Sequence, residues 1–94
     1  MITLRESPPK IYIDFNNLES WESFERIISR LEKSFLVKVL NKYDGPESRV
    51  WKIQLNDVFV SIHNNPYGNY LLAELPDSVE YVKNIFPLLK QLFY

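Results

Sequence analysis

From Arg49 to Tyr70, apolar and polar residues alternate with a period of two. Trp51, Ile53 and Leu55 precede Asn56-Asp57, and Val58, Val60 and Ile62 follow it. Asparagine and aspartate both tolerate positive φ, so this pair suits a two-residue hairpin turn. The turn sets Leu55 opposite Val58, Ile53 opposite Val60 and Trp51 opposite Ile62, all on one face. The other face receives Lys52, Gln54, Ser61 and His63, with Val50 and Phe59 as apolar exceptions. A slip of one residue would mix the two sets, so the register is strongly specified.

Upstream, residues 1–9 read as an extended lead-in, because Pro8-Pro9 disfavours helix. Lys10 to Phe15 alternates and predicts the first strand, with Ile11, Ile13 and Phe15 inward. Asn16-Asn17 offers N-cap chemistry for a helix that follows. Its apolar arc is Leu18, Trp21, Phe24, Ile28, Leu31 and Phe35, with Ile27 at the border. The opposite stripe runs from Glu19 and Glu22 to Arg26, Arg30 and Lys33, acids first and bases last, as the helix dipole favours. This pattern is that of a solvated helix surface.

Val37 to Tyr43 predicts a second strand, ended by Asp44-Gly45-Pro46. The hairpin supplies two more, and Tyr70 to Leu75 a fifth, after a loop through Pro66-Tyr67-Gly68-Asn69 in which Gly68 takes positive φ. Pro76 then breaks the chain, and Asp77 with Glu80 resembles a capping box. Val79, Val82, Phe86, Leu89 and Phe93 form the buried stripe of a second helix, with a kink or a fresh start expected at Pro87. Leu88, Leu92 and Tyr94 fall off that stripe, so they either rotate inward at the kink or cover a partner, including a second copy of the chain.

The predicted order is β-α-β-β-β-β-α, a single α+β domain spanning residues 1–94. The first helix is long enough to return the chain along the sheet, so the first two strands should lie parallel through a right-handed crossover. The remaining strands are antiparallel. One apolar sheet face places both helices on that face, in a two-layer sandwich. Strand directions then gather Asn16, Asn17, Tyr43, Asp44, Glu47, Asn64, Asn65, Tyr67 and Asn69 at one end, with His63 nearby. This is end A of the fold. Polar and aromatic residues on loops are the usual dress of a binding surface. Tyr43, Asp44, Glu47, His63, Asn65, Tyr67 and Asn69 are the candidate partner-binding residues.

Composition narrows the chemistry. Forty-six per cent hydrophobic and 15% aromatic residues argue against disorder. Eleven basic against 12 acidic residues, a net charge of −1, lack the basic footprint of a nucleic-acid binder. There is no cysteine, so neither a disulfide framework nor a thiolate metal site is expected. No apolar run of signal-peptide or membrane-span length is present, and a cytoplasmic location is the expectation. No metal site or cofactor is expected, since one histidine and two separated glycines build neither a zinc site nor a phosphate cradle. His63 with Asp44 or Glu47 is the nearest approach to an acid–base pair. A set of Ser48, His63 and Asp44 can be assembled on paper, but Ser48 lies on no nucleophile elbow. The leading expectation is a non-enzyme, with a small hydrolase or nuclease using His63 as the alternative. Trp21, Phe24, Trp51 and Phe86 are core by position, while Tyr12, Tyr43, Phe59, Tyr67 and Tyr70 are less committed.

Two segments carry a family resemblance. Trp21-Glu22-Ser23-Phe24-Glu25 and Asp44-Gly45-Pro46-Glu47-Ser48-Arg49-Val50-Trp51 resemble small bacterial α+β proteins that share a W-x-x-F helix and a D-G-x-[DE]-S-R-x-W entry to a hairpin. Tyr67-Gly68-Asn69-Tyr70 is similar to loops of small immunity proteins that neutralise secreted bacterial toxins. The resemblance implies a cytoplasmic single-domain protein binder with a cognate toxin domain as partner, as in contact-dependent growth inhibition. Carboxylates such as Asp44, Glu47, Asp57 and Glu74 would help against a nuclease toxin by taking the place of phosphates. An oligomerising accessory protein is the other reading.

Overall fold

A computed structural model describes residues 2–16 and 18–94. Six strands and two helices follow one another as β1 (Ile2–Ser7), β2 (Lys10–Phe15), α1 (Ser23–Leu31), β3 (Val37–Asp44), β4 (Arg49–Leu55), β5 (Val58–Asn65), β6 (Gly68–Ala73) and α2 (Pro76–Leu92). They form one sheet in the order β1-β2-β6-β5-β4-β3, antiparallel at every pairing. The class is α+β, with one strand more than the sequence pattern predicts.

The extra strand is the lead-in. Ile2 pairs with Phe15 and Ser7 with Lys10, so Pro8-Pro9 is a hairpin turn, its peptide bond cis. Ile2 and Leu4 alternate with Thr3 and Arg5 and turn onto the core face, Ile2 buried and Leu4 partly so.

The crossover expectation needs a second correction. β2 and β3 do run in the same sense, but β6, β5 and β4 lie between them. β6 takes the place beside β2 because it is buried on both faces: Leu71 and Ala73 enter the core, and Leu72 is covered on the other side. α1 and its flanking loops therefore carry the chain across the sheet to the opposite edge.

The hairpin register is as the alternation dictates. Leu55 faces Val58, Ile53 faces Val60 and Trp51 faces Ile62. Asn56 takes φ 52°, the left-handed conformation that asparagine tolerates. Its amide nitrogen donates to the Leu36 carbonyl at 2.8 Å, and its Oδ1 accepts from the Leu36 amide at 2.8 Å. Its Nδ2 donates to the Tyr81 hydroxyl at 2.6 Å. One turn residue thus ties the hairpin to the start of β3 and to α2.

One core cluster joins the inner face of the sheet to both helices. α1 contributes Phe24, Ile27, Ile28 and Leu31, and α2 contributes Val82 and Leu89, with Phe93 just beyond it. Phe93 packs on Phe15 at 4.9 Å and Phe24 edge-on to Trp51 at 5.2 Å. Each such side chain contributes about 1.5–3 kcal/mol on burial. The exposed ion pairs Lys10–Glu74 and Lys83–Glu6 contribute at most about 1 kcal/mol each. Apolar burial, not surface charge, fixes the pairing.

Helix starts differ from expectation. α1 begins at Ser23, and its first turn is held by Ser20, whose Oγ accepts from the Ser23 amide at 3.1 Å. Asn16 instead donates to the Thr3 hydroxyl at 2.6 Å, and the cap expected at Asn17 lies outside the described residues. Because the helix starts late, Trp21 sits in the preceding turn and is 40% exposed rather than core. At α2 the N-cap is Leu75 with Pro76 at N1, so Asp77 and Glu80 form no capping box. Ser78 points inward and donates to the Phe59 carbonyl at 2.6 Å. α2 stays continuous through Pro87, which is exposed, so water can satisfy the carbonyl left without an amide. Phe86 is only partly buried, Leu92 packs partly on the core, and Leu88 and Tyr94 remain exposed.

Replacing Asn56 by alanine removes two side-chain hydrogen bonds and leaves a left-handed residue with a Cβ, which should cost about 2–3 kcal/mol in urea unfolding. Asn56→Gly should recover part of that, since glycine adopts this φ freely. A loss under about 0.5 kcal/mol for the alanine variant would contradict this role for the turn.

Candidate functional site

The turns that follow strands running toward end A do converge there. β2 ends beside Asn69, β5 and β6 meet through Pro66-Tyr67, and Asn64 lies opposite Arg49, which lies opposite Asp44. The end divides into three parts with different chemistry.

The first is a buried cation. Arg49 begins β4 on the core face, its side chain only 7% exposed. Its guanidinium lies 4.6 Å from the Phe24 ring centre, 4.9 Å from Trp21 and 5.0 Å from Trp51. Arg49 Nε donates to Asp44 Oδ1 at 2.9 Å, and the Trp51 indole donates to the same oxygen at 2.9 Å. Glu25 stands 3.8 Å from Nη2, and the Trp21 carbonyl accepts from Nη1 at 3.5 Å. Asp44, Arg49 and Trp51 of the D-G-x-[DE]-S-R-x-W stretch, together with Trp21 and Phe24 of the W-x-x-F pattern, thus form one structural cluster. The Arg49 hydrogen bond, and then that of Trp51, hold the Asp44 carboxyl below the ordinary carboxylate range. Within the turn, the Gly45 amide donates to the Ser48 carbonyl at 2.8 Å. A Cβ at Gly45 would stand 2.8 Å from the Tyr43 hydroxyl, so glycine lets that ring fold over the turn. Glu47 is exposed in the turn and Tyr43 on the outer sheet face.

The second part is the β5–β6 turn. Asn65 Oδ1 accepts from the Tyr67 amide at 2.8 Å, closing an Asx turn. Gly68 follows at φ 135°, where a side chain would be strained and would meet Glu19 at 3.5 Å. Asn69 is buried: its Nδ2 donates to the carbonyls of Leu18 (2.6 Å) and Ser20 (3.0 Å), and its Oδ1 accepts from Asn64 at 2.6 Å. Asn69 thereby clamps this turn to the loop that leads into α1. Tyr67, at the tip of a turn so braced, is 92% exposed. Beside it opens a polar depression of about 240 Å³ bordered by Asp14, Asn16, Glu19, Asn65 and Tyr70. Arg5 borders it too, gripping Asp14 with two hydrogen bonds of 3.0 and 3.1 Å.

The third part is on the outer face of the sheet. His63 stacks parallel to Tyr70 at 4.8 Å, and its Nε2 shares a hydrogen bond of 2.8 Å with Ser61 Oγ. Tyr70 in turn packs on Tyr12 at 5.6 Å, over which the Arg5 guanidinium sits at 4.2 Å. Burial pushes the Tyr70 phenol up and the His63 imidazole down from their ordinary values. Both shifts favour the neutral ring.

End A thus brings Asn65, Tyr67 and Asn69 together, with Tyr43, Asp44 and Glu47 on the far side of Arg49. His63 and Asp44 face opposite sides of the sheet, and Ser48 is a turn residue, so the three do not meet as a catalytic set. Glu19, Asp14 and Tyr70 border the depression and lie outside the candidate set read from the sequence, Tyr70 being only an uncommitted aromatic there. The helical period puts Glu19 on a helix surface, and Asp14 stands opposite Tyr70 through the β2–β6 pairing, with β1 supplying its partner Arg5. Among the described residues no group of His, Asp and Glu has metal-binding geometry, and no helix is long and apolar enough to cross a membrane. Comparison with known protein families, with curated proteins and with solved structures found no match.

Two pH responses follow. Asp44, lowered in the folded state, contributes stability above its unfolded value of about 3.9 that is lost as pH falls through the folded one. Asp44→Asn should therefore lower the urea midpoint at pH 7, with the difference closing in strong acid; a constant difference down to acid pH would contradict the pairing. His63, also lowered, contributes stability above about pH 6.5 that is lost as pH falls through its folded value. Its ring protons should titrate by NMR with a midpoint below 6.5; a midpoint at or above it would refute the buried, neutral stack.

Proposed function

We propose that this chain is a non-enzymatic protein-binding module whose contact point is Tyr67 at end A, and that its partner is a bacterial toxin domain that it neutralises by occlusion. The observation that carries the binding reading is a tyrosine almost wholly in solvent on a turn that is itself clamped by Asn65, Gly68 and Asn69. A large amphipathic ring presented rigidly loses little conformational freedom on binding, which is why tyrosine dominates contact hot spots. In the neighbouring depression Arg5 already holds Asp14, and Glu19 on its border is the carboxylate left to meet a basic side chain of the partner. Glu19 makes no ion pair among the described residues.

The toxin reading is supported by the resemblance of the Tyr67–Tyr70 loop to immunity-protein loops, and it places the protein in the cytoplasm, where such a toxin acts. The mechanism needs no acid, base or metal. It needs a stable platform and a surface that covers the toxin's site. Asp44 belongs to the platform, through Arg49 and Trp51, and Glu47 and Tyr43 extend the contact on the far side of the turn.

The test is calorimetry against the product of a secreted-toxin gene adjoining this one. Wild type should bind, and Tyr67→Ala should weaken binding at least tenfold, about 1.4 kcal/mol or more, with unchanged thermal unfolding. Equal affinity of the Tyr67→Ala variant would remove the contact point. An unrelated metabolic neighbour in place of the toxin gene would remove the immunity reading.

A further inference from the structure

Both helices cover the inner face of the sheet, and no helix covers the outer face. Its middle row reads, from edge to edge, Arg5, Tyr12, Leu72, Ser61, Lys52 and Asn41, with Leu40 bulged beside Asn41. Leu40 and Phe59, about half exposed at 46% and 50%, line a shallow depression of about 340 Å³ together with Leu72 and Leu75. Lys52 on β4 stands on one side of it, and Glu74, just past β6, on the other. β5 runs between them.

An apolar hollow flanked by one cation and one anion, on opposite sides of a central strand, is complementary to itself. We propose that a second copy of this chain occupies it, docked face to face about a two-fold axis lying along β5. Such an axis lays β4 of each copy over β6 of the other. Each Lys52 stem then crosses the other copy's β6 at Leu72, and its ammonium meets the other copy's Glu74. Phe59 meets Phe59 at the axis, and Tyr12 meets Leu40. The strands of the two sheets stay nearly aligned, as in β-sandwiches.

The charges are accessible for this role. Lys52 makes no ion pair among the described residues, and Glu74 holds only Lys10, at 3.3 Å, with both side chains about half exposed. With the axis along β5, five strands of each copy overlap and β1 overhangs; at ordinary spacing and rise they present roughly 500 Å² per copy, the size of a weak, transient interface. The dimer is therefore reversible and concentration-dependent. The axis along β5 also points both copies' end A the same way, so the assembly presents two Tyr67 turns side by side. The centre of this surface lies away from the Tyr67 turn, with Tyr12 at its rim shared with the outer-face stack of end A, and the proposal stands whether or not Tyr67 contacts a toxin.

Analytical ultracentrifugation from micromolar to millimolar protein tests it. Wild type should pass from monomer to dimer. Lys52→Glu and Glu74→Lys should each weaken self-association at least tenfold, because each sets like charges across the axis. An equimolar mixture of these two variants should restore dimer, since the introduced charges then face opposite ones. Phe59→Glu should be monomeric, and Tyr67→Ala should dimerise as wild type does. Circular dichroism of each variant checks that it is folded. A wild type that stays monomeric to millimolar concentration would overturn the proposal. So would a dimer indifferent to Lys52→Glu and Phe59→Glu, or a mixture that fails to associate.

Discussion

The corner at Asn56 is the constraint on which the rest depends. Its left-handed backbone sets the hairpin register, and that register puts Trp51, Ile53, Val60 and Ile62 on one face. With one oily face, both helices must lie on the same side, and the other side is left to water or a partner. The same residue reaches Leu36 and Tyr81, so it also fixes where β3 begins and how α2 lies. The convergence of loops at end A follows, because strand directions are settled once these pairings are.

End A is held by buried polar groups rather than by apolar packing alone. Arg49 is taken out of water, which is unfavourable unless its charge is met. Three aromatic rings and the Asp44 carboxylate meet it. Asn69 plays the equivalent part at the β5–β6 turn, with its amide nitrogen on two carbonyls and its oxygen on Asn64. Side chains that do this work are unavailable to a partner. What remains for recognition is what they brace, above all Tyr67. The distinction between bracing and presenting residues separates candidates that look alike as polar loop positions.

Much of the fold was legible in alternation. The hairpin pairs, the single oily face and the α2 stripe at Val82, Leu89 and Phe93 all follow from spacing. β1 is hidden in the sequence although Ile2 and Leu4 alternate with Thr3 and Arg5, because Pro8-Pro9 reads as a stiff linker as readily as a turn. The late start of α1 is masked because Leu18 and Trp21 continue its period by chance. Tertiary partners decided otherwise: Trp21 lies over Arg49, and the Leu18 carbonyl accepts from Asn69. The site was legible in place but not in role. Loop direction gathers Asn65, Tyr67, Asn69 and Asp44 at one end. Which of them is buried depends on long-range hydrogen bonds, such as Asn69 to Leu18, 51 residues apart, that no local spacing encodes.

The most direct measurement of the central claim is a nuclear Overhauser spectrum of the isotopically labelled chain. The account predicts contacts between the Trp51 ring and Phe24, cross-strand contacts between Trp51 and Ile62, and contacts from the Asn69 side-chain amide to Leu18 and Ser20. A spectrum in which Trp51 touches no core residue, or in which the Asn69 amide exchanges freely with water and touches neither Leu18 nor Ser20, would contradict it.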